Sequence, residues 1–264
     1  MRAMRRLALH VAVALTVAAL FAAAAAWPAW HAFAGDLPTD ERMHALAGMV
    51  VEGSEKGTDI SRVDHVAGSS YGDDVAGGSN PLLGVDDYGP GFAETSFGAA
   101  KTDLTAARQR LEADGWRVGA DGDGLTAAND DWRLTFRPTD GEGSDAVLKV
   151  QRAAPIAALA LTALAWIAGL VIGWRAAGRF DNPLGLAALV FLALNTLSVT
   201  GSLLEDAIAV RGTGPFPLPW DFAFFYGARP FVVFGLALTA LTLIFGGRAR
   251  AVHSSGTDRP SARS

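Results

Sequence analysis

Leu7 to Ala26 is a run of 20 residues broken only by His10 and Thr16, and three more apolar runs follow it: Ala153 to Trp174, Pro183 to Leu204 and Phe231 to Gly247. A helix rises about 1.5 Å per residue, so runs of this length match the roughly 30 Å hydrocarbon core of a bilayer. The pattern predicts a membrane protein with four transmembrane α-helices, at residues 7–27, 153–174, 183–204 and 231–247. Composition agrees, with 50% hydrophobic residues and a mean hydropathy of +0.25 over 264 residues, which is more apolar than a soluble domain of ordinary make-up.

Charge then orients the helices. Arg2, Arg5 and Arg6 fall in residues 1–6, Arg175 and Arg179 in 175–182, and Arg248, Arg250, Arg259 and Arg263 in 248–264. All of them lie on one side of a four-helix arrangement, and the positive-inside bias makes that side cytoplasmic. Residues 28–152 and the 205–230 loop face outward. The outer segment is acidic: residues 28–152 hold 22 Asp and Glu against 11 Lys and Arg, while the rest of the chain holds 5 against 11. The expected location is the plasma membrane, with both termini cytoplasmic and the lipid bilayer as first partner. Arginine outnumbers lysine 19 to 3 beside abundant alanine, the composition of a high-GC bacterial genome, which would place the outer segment in a cell envelope.

The first run has a rival reading as a signal peptide, because Ala32-Phe33-Ala34 before Gly35 resembles a cleavage site behind a basic start and an apolar core. Its length favours retention, since a signal core spans about 7–15 residues. Trp27 and Trp30 are also placed to serve as an interfacial aromatic belt.

The outer segment divides in two. Residues 28–100 read as loop-rich: between Gly53 and Gly98, turn formers such as Gly77-Gly78-Ser79-Asn80-Pro81 and Asp86-Asp87-Tyr88-Gly89-Pro90-Gly91 erase any strand or helix period. One short helix is expected at 40–52, with Met43, Leu46, Ala47 and Val50 on one face. Residues 101–152 are more orderly. Thr102 is placed to cap a helix over 103–114, with Leu104, Ala107 and Leu111 on one face and Gly115 as its terminator. Alternating apolar positions then predict a three- or four-stranded antiparallel meander: Trp116 and Val118, Leu125 and Ala127, Trp132 to Phe136, Ala146 to Val150. The expected outer domain is thus a small α+β unit between helices one and two.

Chemical motifs are few. Gly68-Ser69-Ser70-Tyr71-Gly72 matches the G-x-S-x-G pattern of a nucleophile elbow, but its flanks lack the hydrophobic strand and the following helix, and no histidine occurs between His65 and His253. The acidic pairs Asp73-Asp74, Asp86-Asp87 and Asp130-Asp131, with Asp121-Gly122-Asp123-Gly124, offer oxygen ligands for Ca²⁺. Leu125, Thr126 and Trp132, however, stand where a Ca²⁺ loop needs a ligand, a glycine and a glutamate, so hairpin turns account for them. With no cysteine, no Walker motif, no dinucleotide fingerprint and five scattered histidines, His10, His31, His44, His65 and His253, no cofactor, metal or nucleic acid is expected.

Within the spans, Ala165, Gly169 and Gly173 recur every four residues, a face that lets a neighbouring helix approach closely. Asn195, Ser198 and Ser202 on helix three, with Thr196 and Thr200 adjoining, and Gly235, Thr239 and Thr242 on helix four form polar stripes. These read as interhelical glue, or as the lining of a translocation path. Arg229 before Pro230 marks the outer interface. Trp220, in the Pro- and Phe-rich stretch Pro215 to Tyr226, reads as an interfacial anchor. No segment longer than a turn motif matches a family signature.

The expectation drawn from these features is a non-enzymatic envelope protein that binds, senses or serves as an accessory subunit, with a membrane-protein partner or a second copy of itself. The alternatives are a component of a small-solute transporter built on Asn195 and Ser198, and an external serine hydrolase centred on Ser70. A tail of about 15 residues is too short for an output domain of its own.

Overall fold

The computed structural model describes residues 1–54, 59–64, 66, 90–97, 102–138, 146–209 and 229–245. In chain order the elements are α1 (Arg2–Phe33), α2 (Asp40–Val50), β1 (Ile60–Val63), β2 (Phe92–Phe97), α3 (Leu104–Ala113), β3 (Arg117–Asp121), β4 (Gly124–Ala128), β5 (Trp132–Arg137), β6 (Ala146–Arg152), α4 (Ile156–Ala176), a 3-10 turn (Ala177–Phe180), α5 (Pro183–Ala209) and α6 (Arg229–Phe245). They form a bundle of apolar helices and a separate antiparallel sheet.

Among the described residues the sheet has six strands in the order β1-β2-β6-β5-β4-β3, every neighbouring pair antiparallel. Strands β3 to β6 make the expected meander. Strands β1 and β2 come from the stretch read as loop, and β2 docks beside β6, not at the end of the chain order. The reason they escape a pattern search is chemical. The positions of β2 on the core face are Ala93, Thr95 and Phe97, and β1 places Arg62 opposite Ala93, so the apolar alternation that marks a strand is diluted by small and polar residues. Paired across the ladder, Phe97 with Ala146, Thr95 with Leu148, Leu134 with Val150 and Leu125 with Phe136 bring one face together. Helices α2 and α3 cover it through Met43, Leu46, Val50, Ala107 and Leu111, all fully buried.

Helix α3 departs from expectation at one end and follows it at the other. Its N-cap is Asp103, whose carboxylate accepts from the backbone N–H groups of Thr105 and Ala106 at 3.0 and 3.1 Å. Thr102 makes no such bond, and among the described residues its buried hydroxyl has no hydrogen-bond partner. The reason is that an acidic oxygen in the cap position also meets the positive end of the helix dipole. At the other end Gly115 has φ +89°, with Gly115 N–H donating to Glu112 O and Trp116 N–H to Leu111 O, the paired bonds that close a helix through a left-handed residue. Asp121 to Gly124 is a hairpin turn with Gly122 at φ +55°, and Asn129 turns the chain from β4 to β5 by accepting from Asp131 and Trp132 N–H. The acidic residues at both places belong to turns.

Among the described residues, three helices are long and apolar enough to cross a membrane: Arg2–Phe33, Ile156–Phe180 and Pro183–Glu205. The fourth apolar run appears as α6, a helix of 17 residues whose apolar part, Pro230–Phe245, falls in a shorter class. Helix α1 packs along α4 in antiparallel fashion. A Cβ built at Gly169 would lie 2.6 Å from Ala18 Cα, and one at Gly173 would lie 2.7 Å from Ala14 Cα. Backbones can approach this closely only where side chains are absent, and α1 answers with Ala14, Ala18, Ala22 and Ala26, all buried. One anchor differs from expectation. Trp27 is exposed, whereas Trp30 is 1% exposed and packs among Ala26, Ala153 and Ala154, because it faces the start of α4 and not the surroundings.

Candidate functional site

Two places gather polar side chains in buried surroundings, and the first is the joint between sheet and helices. β6 ends at Arg152 and α4 begins at Ile156, so only Ala153, Ala154 and Pro155 separate them. Arg152 is 7% exposed. Its guanidinium donates to three backbone carbonyls: Nε to Gly35 just after α1, Nη1 to Pro90 before β2 at 2.9 Å, and Nη2 to Asp64 after β1 at 2.8 Å. Five donors in a rigid planar fork suit this task, which a lysine could not perform. Burial lowers the pKa of Arg152 from its ordinary value; the charges of Asp64 and Asp36 raise it and that of Arg62 lowers it further.

Neighbouring residues complete the joint. Arg62 pairs with Asp40 and Asp64 and donates to Pro38 O at 2.9 Å. Trp132 Nε1 donates to Asp36 O at 2.9 Å, and Ala153 N–H donates to Asp131 O at 2.8 Å. The linker between α1 and α2 is thereby fixed to β1, β5 and β6. Sequence reasoning overlooked Arg152, although a signal was present: an arginine directly ahead of a span on the acidic side runs against the charge bias that orients the other loops.

The second place is the polar seam of the bundle. Thr196 donates to Leu192 O at 2.9 Å and meets Thr16 Oγ1 of α1 at 3.2 Å. Thr162 turns back onto Ala158 O and Thr239 onto Gly235 O, the local bonds by which hydroxyls satisfy themselves in apolar helices. Asn195 and Thr242 are each 1% exposed, and among the described residues neither atom of the Asn195 amide nor the Thr242 hydroxyl has a hydrogen-bond partner. Ser198 is half-buried. Gly169 and Gly173 stand apart from this seam, on the α1–α4 contact. Ser202 lies on α5 and Arg229 opens α6, while Trp220, Ser70 and the pairs Asp73-Asp74 and Asp86-Asp87 lie outside the described residues.

The face of the sheet opposite α2 and α3 carries Arg117, Arg133, Arg137 and Lys149. Arg133 is 6% exposed and its pKa is lowered to about 10 by burial and by the charge of Arg117. At the far end of the bundle Arg2, Arg5, Arg6 and Leu9 line an open cleft with Asp181. Among the described residues no group of three or more His, Asp or Glu is arranged to hold a metal ion. No protein-family model matches the chain, and comparison with curated proteins and with solved structures finds no significant similarity.

Proposed function

We propose that the chain is a multi-pass protein of the plasma membrane that presents its acidic domain outside the cell as a binding, sensing or accessory module, without catalysis of its own. In this reading α6 is the fourth span, and the arginine-rich ends and loops face the cytoplasm. The observation that carries it is the Arg152 joint. A domain that only needed tethering could hang from a flexible linker, whereas here one buried guanidinium ties the sheet to the exit of α1 and, through three residues, to the entry of α4. Rigid attachment to two packed helices suits a module whose bound state must be felt in the membrane or whose orientation must match a membrane partner.

The absence of native cysteine allows a clean test of the orientation. Single cysteines at Glu112 and at Ser264 are labelled with a membrane-impermeant maleimide in right-side-out vesicles; Glu112→Cys reacts and Ser264→Cys reacts only after permeabilisation. The opposite pattern overturns the topology. For function, the tagged full-length protein is purified in mild detergent beside a variant lacking residues 36–150. A stoichiometric membrane partner that is lost with the domain is the expected result. Full recovery of all partners without the domain removes its role as a docking module.

A further inference from the structure

Three arginines near the start of α1 share one side of the helix. Arg2, Arg5, Arg6 and Leu9 stand at i, i+3, i+4 and i+7, the spacing that aligns side chains along one face, and with Asp181 they line an open cleft of about 250 Å³. The opposite wall is braced. Val13 packs with Ala177 and Phe180 of the 3-10 turn, with Leu9 against them, and a Cβ on Gly185 would fall 2.6 Å from Phe180 Cα, so α5 starts hard against that turn. Asn182 Nδ2 donates to Arg179 O at 2.7 Å, and its Oδ1 accepts from Gly185 N–H at 3.0 Å. Asp181 sits in this corner, 3.7 Å from Arg5, and among the described residues Arg2 and Arg6 join no ion pair. One carboxylate therefore answers three guanidinium groups, and neighbouring like charges on a helix face repel one another. The charge bias that orients a membrane protein asks only for basic residues in this segment. It does not ask that all three border one cleft.

The cleft lies at the height of lipid headgroups. His10, one residue past Leu9, meets Trp174 near the end of α4 edge-on, with ring centroids 5.2 Å apart, and Trp174 is exposed, the placement of an indole at a membrane–water boundary. From His10, α1 carries Arg6 about 6 Å and Arg2 about 12 Å farther out, while headgroups add about 5–8 Å on each side of the hydrocarbon core. We propose that the cleft binds the phosphate of an anionic phospholipid headgroup. Guanidinium groups grip phosphate oxygens through paired N–H donors, and basic pockets between helices at this level are a recurring form of lipid site. At 3.7 Å the contact of Arg5 with Asp181 is longer than a hydrogen bond, so Arg5 keeps its donors for the ligand. The exposed side chain of Leu7, next in sequence to Arg6, favours an occupant that is apolar below its headgroup over a soluble phosphate. The inference rests on the reading of α1 and α4 as membrane spans, and it holds whatever the external domain binds.

The test uses the full-length protein in nanodiscs of phosphatidylcholine, alone or mixed with phosphatidylglycerol, beside two double variants. Arg2→Gln with Arg6→Gln removes two cations from the cleft; Arg175→Gln with Arg179→Gln removes the same charge from the same end of the bundle but from outside the cleft lining. Phosphatidylglycerol raises the wild-type unfolding midpoint by about 5 °C, the cleft variant loses most of that shift, and the second variant keeps it. No shift in the wild type overturns the proposal, and so does equal loss in both variants, because diffuse charge then suffices. The same shift produced by inorganic phosphate in pure phosphatidylcholine overturns the lipid as occupant. Should the cleft variant fail to insert, a phosphatidylglycerol probe with a photoreactive headgroup decides on the wild-type protein: cross-links within residues 1–10 and 179–182 support the site, and cross-links confined to other segments overturn it. A chain that enters no nanodisc overturns the membrane reading and this proposal together, whereas one that enters and shows no lipid dependence overturns this proposal alone.

Discussion

The sheet domain and the helix bundle solve the burial problem with opposite side chains. In the sheet domain the interior holds Leu111, Leu134, Phe136 and Leu148, each fully buried. In the helix pair α1–α4 the interior holds Ala14, Ala18, Ala22, Gly169 and Gly173, while Leu161, Leu164, Ile167 and Val171 are exposed. The contrast teaches which solvent each part is made for. Water drives large apolar groups inward because their transfer out of it is favourable. Lipid gives them no such reward, so helices in a bilayer associate by close backbone packing between small residues.

The comparison breaks most readily at the glycines. Gly169→Leu places a branched side chain where even a Cβ would fall 2.6 Å from Ala18 Cα and 2.8 Å from Val17 O. Backbone atoms of α1 cannot yield as a side-chain tip would, and the helices must part. The expected loss is about 3 kcal/mol or more, read as a fall in the detergent-unfolding midpoint and in cross-linking between cysteines placed on α1 and α4. An unchanged midpoint would mean that α1 and α4 do not pair as described.

A matched pair of leucines sharpens the same contrast. Leu148→Ala, in the central strand β6 and fully buried, costs about 2–5 kcal/mol through lost burial and the cavity left behind. Leu164→Ala, on α4 and 62% exposed, changes stability by about 0.5 kcal/mol or less. Both are measured by thermal unfolding of the full-length protein in detergent. Equal effects would show that α4 buries Leu164 against something, and that the exposed face is an interface, not a lipid-facing surface.

Where the two regions meet, Arg152→Met keeps the length of the side chain and removes the donors to Gly35, Asp64 and Pro90. Bonds from a charged donor contribute about 1.5–3 kcal/mol each, part of it offset by the desolvation of the guanidinium, so a net loss of about 3 kcal/mol is expected. The diagnostic readout is local: hydrogen exchange speeds up between Gly35 and Thr39 and around Asp64, with little change in the middle of α4. A uniform rise in exchange across the bundle would instead make Arg152 a general support of the fold.

How much of this was legible in the sequence depended on how strongly a single period dominated each stretch. The three long apolar helices and the β3–β6 meander announce themselves because their apolar positions repeat without interruption. β1 and β2 do not, since Arg62, Ala93 and Thr95 occupy core-facing positions, and Arg62 is satisfied there by Asp40, Asp64 and the carbonyl of Pro38, partners that no local pattern reveals. The Arg152 joint is hidden for the same reason: its three acceptors lie 62, 88 and 117 residues away along the chain. The polar positions of α5 are visible as a stripe, but only the folded bundle distinguishes Asn195, which is buried without a hydrogen-bond partner among the described residues, from Thr196, which has two.

The smallest effect concerns a single residue of register. Both Thr102 and Asp103 are good capping residues by type, and the sequence pattern places the cap at Thr102 with Asp103 in the first turn. In the structure the Asp103 carboxylate accepts two backbone N–H groups, whereas the Thr102 hydroxyl is buried with no hydrogen-bond partner among the described residues. Asp103→Ala therefore removes the cap and destabilises the sheet domain by about 1 kcal/mol. Thr102→Ala removes a buried polar atom that makes no bond and leaves stability unchanged or slightly raised, since an unsatisfied hydroxyl is a cost in the folded state. Asp103→Asn, which keeps an acceptor oxygen but not the charge, recovers most of the loss and isolates the dipole contribution as the remaining few tenths of a kcal/mol. If Thr102→Ala proved the more damaging of the two, α3 would begin one residue earlier, and Leu104, Ala107 and Leu111 would need a different path into the core they share with the sheet.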